Sequence, residues 1–142
     1  MTPKRPLLAL ALCALAGLAG AQSAPPEGKV AIHYNRCDNS YDGWGVHLWR
    51  DGGIASPGIE WTKPMPPSGK DDYGVFWHVP LADYPSGKVN YIIHKGDTKD
   101  QNGKDMQFDG KATREIWVNG GDGKIYASEA DAKAARAATP CK

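Results

Sequence analysis

The sequence predicts an all-β fold, an immunoglobulin-like antiparallel β-sandwich with a short C-terminal helix. Two observations carry that expectation: short runs of β-branched and aromatic residues with Gly- and Pro-rich turns between them, and a single alanine-rich stretch with helical punctuation. Strands are expected at Lys29–Tyr34, Gly45–Trp49, Tyr73–Pro80, Lys88–Lys95, Arg114–Val118 and Lys124–Ala127. In the first, Val30, Ile32 and Tyr34 share one face, as period-2 alternation requires. Turn signals fall between the runs: Asp51-Gly52-Gly53, the proline-rich Pro64–Gly69, Pro85-Ser86-Gly87, Asn102-Gly103 and Asn119–Gly123. Residues 128–138 read as the helix, with Ser128 as N-cap, an acid in the first turn and Pro140 just past the end.

The ends of the chain bound its class. Lys4 and Arg5 precede an apolar run from Leu7 to Leu18 that is too short to span a bilayer, and Ala19-Gly20-Ala21 offers a small-residue cleavage site. Residues 1–21 are therefore expected to be a cleaved signal peptide, giving a secreted or periplasmic product with no membrane attachment. The mature chain then comprises a flexible leader over residues 22–28, a β-sandwich domain over 29–127 and a helical tail over 128–142, about 120 residues in one domain. Seventeen basic residues stand against sixteen acidic ones in the whole chain. Loss of Lys4 and Arg5 tips that balance slightly acidic, so nothing recruits nucleic acid or an anionic membrane. Cys37 and Cys141 remain after cleavage. In an oxidising compartment a disulfide between them is expected, with two free thiols as the alternative.

The segment Tyr41–Trp49 is the most informative. As a strand it turns Trp44, Val46 and Leu48 to the core and Gly45, His47 and Trp49 to the outer face. An indole and an imidazole two residues apart then form an amphipathic platform, suited to a ligand with apolar patches and many hydroxyls, such as a sugar chain. The alternative is that a loop covers Trp49. Trp61 and Trp117 read as packing residues, and Trp77 alternates with Phe76 without revealing which faces inward.

No catalytic set emerges. The chain lacks a Gly-x-Ser-x-Gly elbow and a glycine-rich phosphate loop. Cys37 with His33 or His47 would make a nucleophile and base, but a disulfide is the simpler use of Cys37. Asp71 and Asp72 are adjacent and would face opposite ways on a strand, whereas glycosidase carboxylates face one bond together. The segment from Thr98 to Asp109 echoes a calcium loop only weakly, because Thr stands first and Lys99 sits inside it. His33, His47, His78 and His94 lie on separate strands without metal spacing and read as surface histidines. The expectation is a non-enzyme without metal or cofactor.

Four blocks occur in order: Ile32–Arg36, Tyr41–Trp49, Asp72-Tyr73-Gly74 leading to Val79-Pro80-Leu81, and Ile92–Asp100. Together they resemble the pullulanase-associated domain, carbohydrate-binding module family 41, over about residues 28–127. The resemblance implies a β-sandwich that binds α-glucans such as pullulan, amylopectin, glycogen and malto-oligosaccharides, commonly beside a glycoside hydrolase. Carried onto this chain, it implies His47 and Trp49 as sugar-stacking residues and Lys95 and Asp100 as hydrogen-bonding partners. The sequence departs from the family at His47, where many members have a second tryptophan, in its cysteine-ended tail, and in having no hydrolase domain of its own. A separate pullulanase-type hydrolase is therefore an expected partner. A sandwich that has lost sugar binding and serves as a protein–protein adaptor is the alternative.

Overall fold

The computed structural model describes residues 22–142; the expected signal peptide lies outside the described residues. Among these residues nine strands form two sheets: β1 (Lys29–Asn35), β2 (Gly45–Arg50), β3 (Ile54–Ala55), β4 (Gly69–Lys70), β5 (Val75–Pro80), β6 (Lys88–Lys95), β7 (Thr98–Lys99), β8 (Met106–Asp109) and β9 (Glu115–Asn119). The first sheet runs β4-β5-β1-β9. The second runs β3-β2-β6-β7, with β8 also paired to β6. The helix α1 (Glu129–Ala138) begins where predicted, and the Ser128 hydroxyl accepts from the Asp131 N–H as its cap.

Alternation puts one row from each strand between the sheets. Val30, Ile32, Tyr34, Val75, Trp77, Val79, Ile116 and Val118 face Val46, Leu48, Val89, Tyr91, Ile93, Met106 and Phe108 across a common core. Trp77 lies wholly inside, and its Nε1–H donates to the Met65 carbonyl at 2.9 Å, which satisfies the only polar atom of the indole. Trp44 reaches the same core from the start of β2, with the Arg36 guanidinium 4.1 Å from its ring centroid.

Several features differ from expectation. The β1–β9 pair is parallel, in an otherwise antiparallel sandwich. Lys124–Ala127 forms no strand; only an isolated bridge joins Tyr126 to Trp117. Four strands are additional, the two-residue β3, β4 and β7 and the longer β8, whose Met106 and Phe108 join the inward row. His33 and His94 are buried rather than superficial. His33 lies between Asp71 (Nδ1–Oδ2 3.6 Å) and Glu115 (Nε2–Oε2 3.0 Å) and stacks on Trp117 at 4.7 Å. The leader is tied down as well, with the Pro26 carbonyl accepting from Arg114 at 2.8 Å and the Ser23 carbonyl from His78 at 3.0 Å.

Cys37 and Cys141 are joined by a disulfide with Cα atoms 5.5 Å apart. The bridge holds the tail beyond α1 against the loop that leads into β2.

Candidate functional site

The pairing of β2 with β6 fixes the outer face of the second sheet. Gly45 lies opposite His94, His47 opposite Ile92 and Trp49 opposite Asn90, all on the side away from the core. His47 and Trp49 are half-buried neighbours with ring centroids 5.8 Å apart and planes inclined by 32°. Trp49 is anchored by its backbone, since Asn90 Nδ2 donates to its carbonyl at 3.1 Å and Gln107 Nε2 fixes the Asn90 amide at 2.7 Å.

A third ring joins this pair from a loop. Trp61 lies flat on His94, with centroids 3.9 Å apart and planes 3° from parallel, and meets His47 edge-on at 5.5 Å. Its Nε1–H donates to Asp97 Oδ1 at 3.1 Å, and Lys99 Nζ sits 5.4 Å from the ring centroid. His94 itself is fully buried, and its Nδ1 donates to the Gly96 carbonyl at 2.8 Å, which sets the tautomer. Between the indoles lies an open cavity of about 260 Å³, lined by His47, Trp49, Gly53, Trp61, Ile92 and Asp105. Its floor is apolar and aromatic, and its rim carries a carboxylate. Such a surface receives the C–H face of a hexose while leaving acceptors for hydroxyls.

The four residues expected from sequence are not all brought together. His47 and Trp49 form the platform. Lys95 is placed elsewhere: it shares parity with Val89, Tyr91 and Ile93, lies about 16 Å along β6 from the residue opposite Trp49, and leans over Gly43. Asp100 is only 8% exposed, and its carboxylate points inward. It accepts from the Tyr34 hydroxyl, from Gln101 N at 2.6 Å and from Gly121 N at 2.7 Å, with Arg36 Nη1 at 3.6 Å. The polar groups actually beside the platform are Asp97, Lys99 and Asp105. Trp61 and Asp105 escaped sequence reading because neither lies on a strand with a periodic pattern. Asp105 was recoverable by counting back from the alternating Met106, Gln107, Phe108 and Asp109.

Three larger depressions occur among the described residues. One of about 390 Å³ adjoins Arg36, Trp44 and Asp100, one of about 550 Å³ lies between α1 and the disulfide, and one of about 370 Å³ lies between Tyr41, Trp44 and the prolines Pro64, Pro66 and Pro67. Only the last has two aromatic residues in its lining, and its Trp44 is buried in the core. Among the described residues no group of three or more His, Cys, Asp or Glu side chains is gathered to hold a metal, and no helix is long and apolar enough to cross a membrane.

Burial holds the His47 imidazolium below its ordinary value of 6.5, repulsion from His94 adds to this, and a backbone contact at Glu60 opposes it. The platform is therefore uncharged at neutral pH. Because the unfolded chain binds the proton more readily than the native one, stability falls as pH drops below 6.5 through the lowered native value, and this contribution is flat above 6.5. Thermal midpoints measured from about pH 8 to about pH 5 should decline at the acid end, and by less in His47→Phe than in the wild type.

A β-sandwich with an open aromatic platform on one face is thus the class that fold and site define. The chain belongs to the bacterial pullanase-associated domain family, whose model matches residues 28–127. An α-amylase of Streptomyces lividans is 47% identical over 72 residues, 51% of this chain and 7% of the amylase. A Klebsiella pneumoniae pullulanase complexed with maltotriose superposes with a TM-score of 0.63 at 25% identity, over 80% of this chain and 12% of that one. A structure from streptococcal virulence factors, described as α-glucan recognition by family 41 carbohydrate-binding modules, gives a TM-score of 0.60 at 26% identity, over 72% of this chain and 48% of that one. The chain spans less than a tenth of the length of the curated relatives it matches.

Proposed function

We propose that this chain is a non-catalytic α-glucan-binding module that takes starch-, glycogen- or pullulan-type chains on the outer face of its second sheet. The observation that carries the reading is the half-exposed Trp49 beside an uncharged His47, walling a cavity whose floor is apolar and whose rim bears Asp105. Family membership and the family 41 neighbour, described as recognising α-glucan, support the same ligand class. Indole stacking on a glucose face contributes modestly, and hydroxyls exchange water for protein at little net gain, so binding is expected in the range of roughly micromolar to millimolar. Lys99 donates and Asp105 accepts, a complementary pair for neighbouring hydroxyls. In this reading Lys95 and Asp100 are not direct sugar ligands. The product is exported, and it holds glucan for a glycoside hydrolase of the pullulanase type.

Affinity electrophoresis in gels containing glycogen or pullulan tests the proposal. The wild type should be retarded, and Trp49→Ala should weaken binding by about tenfold or more with an unchanged far-UV circular dichroism spectrum. Unretarded migration of the wild type in every α-glucan would overturn it and favour a protein–protein adaptor. Reducing sugar released from pullulan by the pure protein would refute its non-catalytic character.

A further inference from the structure

We propose that Trp61 supplies the second sugar-stacking ring of this site, so that a loop rather than the β2 strand makes the module selective for longer, bent glucan chains. This rests on the reading of the face as α-glucan-binding. His47 offers only a small ring next to Trp49, and a full indole stands immediately on its other side. Both indole centroids lie close to the His47 ring, at 5.8 and 5.5 Å. Trp49 is tilted by 32° to the imidazole and Trp61 by 70°, so the two indole planes are inclined to each other by no less than the difference between those angles. Inclined rings fit successive units of a curved chain and not those of a flat ribbon.

The position of Trp61 is built. Its loop is clasped to β2 by the reciprocal bonds of Val46 and Met65, at 3.0 and 2.9 Å. A Cβ on Gly45 would meet Pro64 Cγ at 2.7 Å, so the absence of a side chain there lets the loop run this close. The Glu60–Lys63 turn closes on itself with bonds of 3.3 and 2.9 Å. Within it the indole is fixed by Asp97 at its nitrogen and by His94 against one face. A ring fixed in advance loses little freedom when a sugar settles on it. Trp117 is equally half-exposed and packs on His33 in the same way, but it lines no cavity with a second indole; Trp61 lines one with Trp49, His47 and Asp105.

Calorimetric titration with maltose, maltotriose and maltotetraose separates the possibilities. In the wild type affinity should rise with chain length. Trp61→Ala should cost maltotetraose about tenfold while leaving maltose nearly unchanged, and Trp61→Phe should restore most of the length dependence. A wild type that binds with no rise along the series, a Trp61→Ala variant that keeps the full rise, or one that weakens all three sugars equally would each overturn this inference and leave glucan binding standing. A wild type that binds none of the three would remove the underlying reading instead.

Discussion

Replacing Cys141 with serine is expected to lower the free energy of unfolding by roughly 4 kcal/mol. The bridge joins residues 104 apart in sequence, so it removes most of the loop-closure freedom of the denatured chain. The folded state keeps its other ties to the tail. Ala132 stays buried under β9, its carbonyl accepts from Asn119 Nδ2 at 2.8 Å, and Arg136 Nη2 donates to the Gly120 carbonyl at 3.0 Å. The loss therefore arises chiefly in the unfolded state. Guanidinium unfolding of the wild type with and without reductant, alongside Cys141→Ser, measures it. A difference under about 1 kcal/mol would mean that the denatured chain gains little freedom when the bridge is cut. Glucan affinity of the still-folded variant should not change, because the platform is built from β2, β6 and the Trp61 loop, none of which the bridge touches.

Much of this architecture was legible in the sequence because alternation is a local signal. Lys88–Lys95 was expected with the observed bounds, and the parity of Val46 and Leu48 correctly sent Trp44 inward and His47 and Trp49 outward. What alternation cannot supply is the partner strand. Nothing local says that β9 lies parallel beside β1, since that pairing joins segments some eighty residues apart. Nor does it say that His94 will be roofed by an indole from a loop, although His94 shares the outward parity of Ile92. Lys95 is a different kind of case. Counting from Ile93 assigns it to the other face from Trp49, so strand parity and the motif resemblance point to different faces. Asp100 follows the tight turn at Gly96 and Asp97, where register is lost and only three-dimensional pairing restores it.

Asp100→Ala should cost about 3 kcal/mol of stability, on the scale of breaking a buried, hydrogen-bonded charge pair. Its carboxylate is where several segments meet: the Tyr34 hydroxyl from β1, the Gln101 N–H of its own turn and the Gly121 N–H of the loop after β9, with the Arg36 guanidinium nearby. Burial, reinforced by Asp100, pushes the Tyr34 hydroxyl far above its ordinary range, so it remains a donor at every accessible pH. Alanine would leave two N–H groups and that hydroxyl facing nothing, and would remove the more distant of the two carboxylates beside Arg36, which keeps its pair with Asp38. The amide introduced by Asp100→Asn could still accept through its oxygen, but it would turn its NH2 toward one donor, so an intermediate loss is expected. Chemical denaturation of the three proteins orders them. Glucan affinity, compared at a temperature where all are folded, should be nearly equal, because the platform lies on the other face of β6. If Asp100→Asn instead kept its stability within about 1 kcal/mol and lost about tenfold in maltotetraose affinity, the carboxylate would be a sugar ligand, and its inward-pointing geometry would not be the one that meets the glucan.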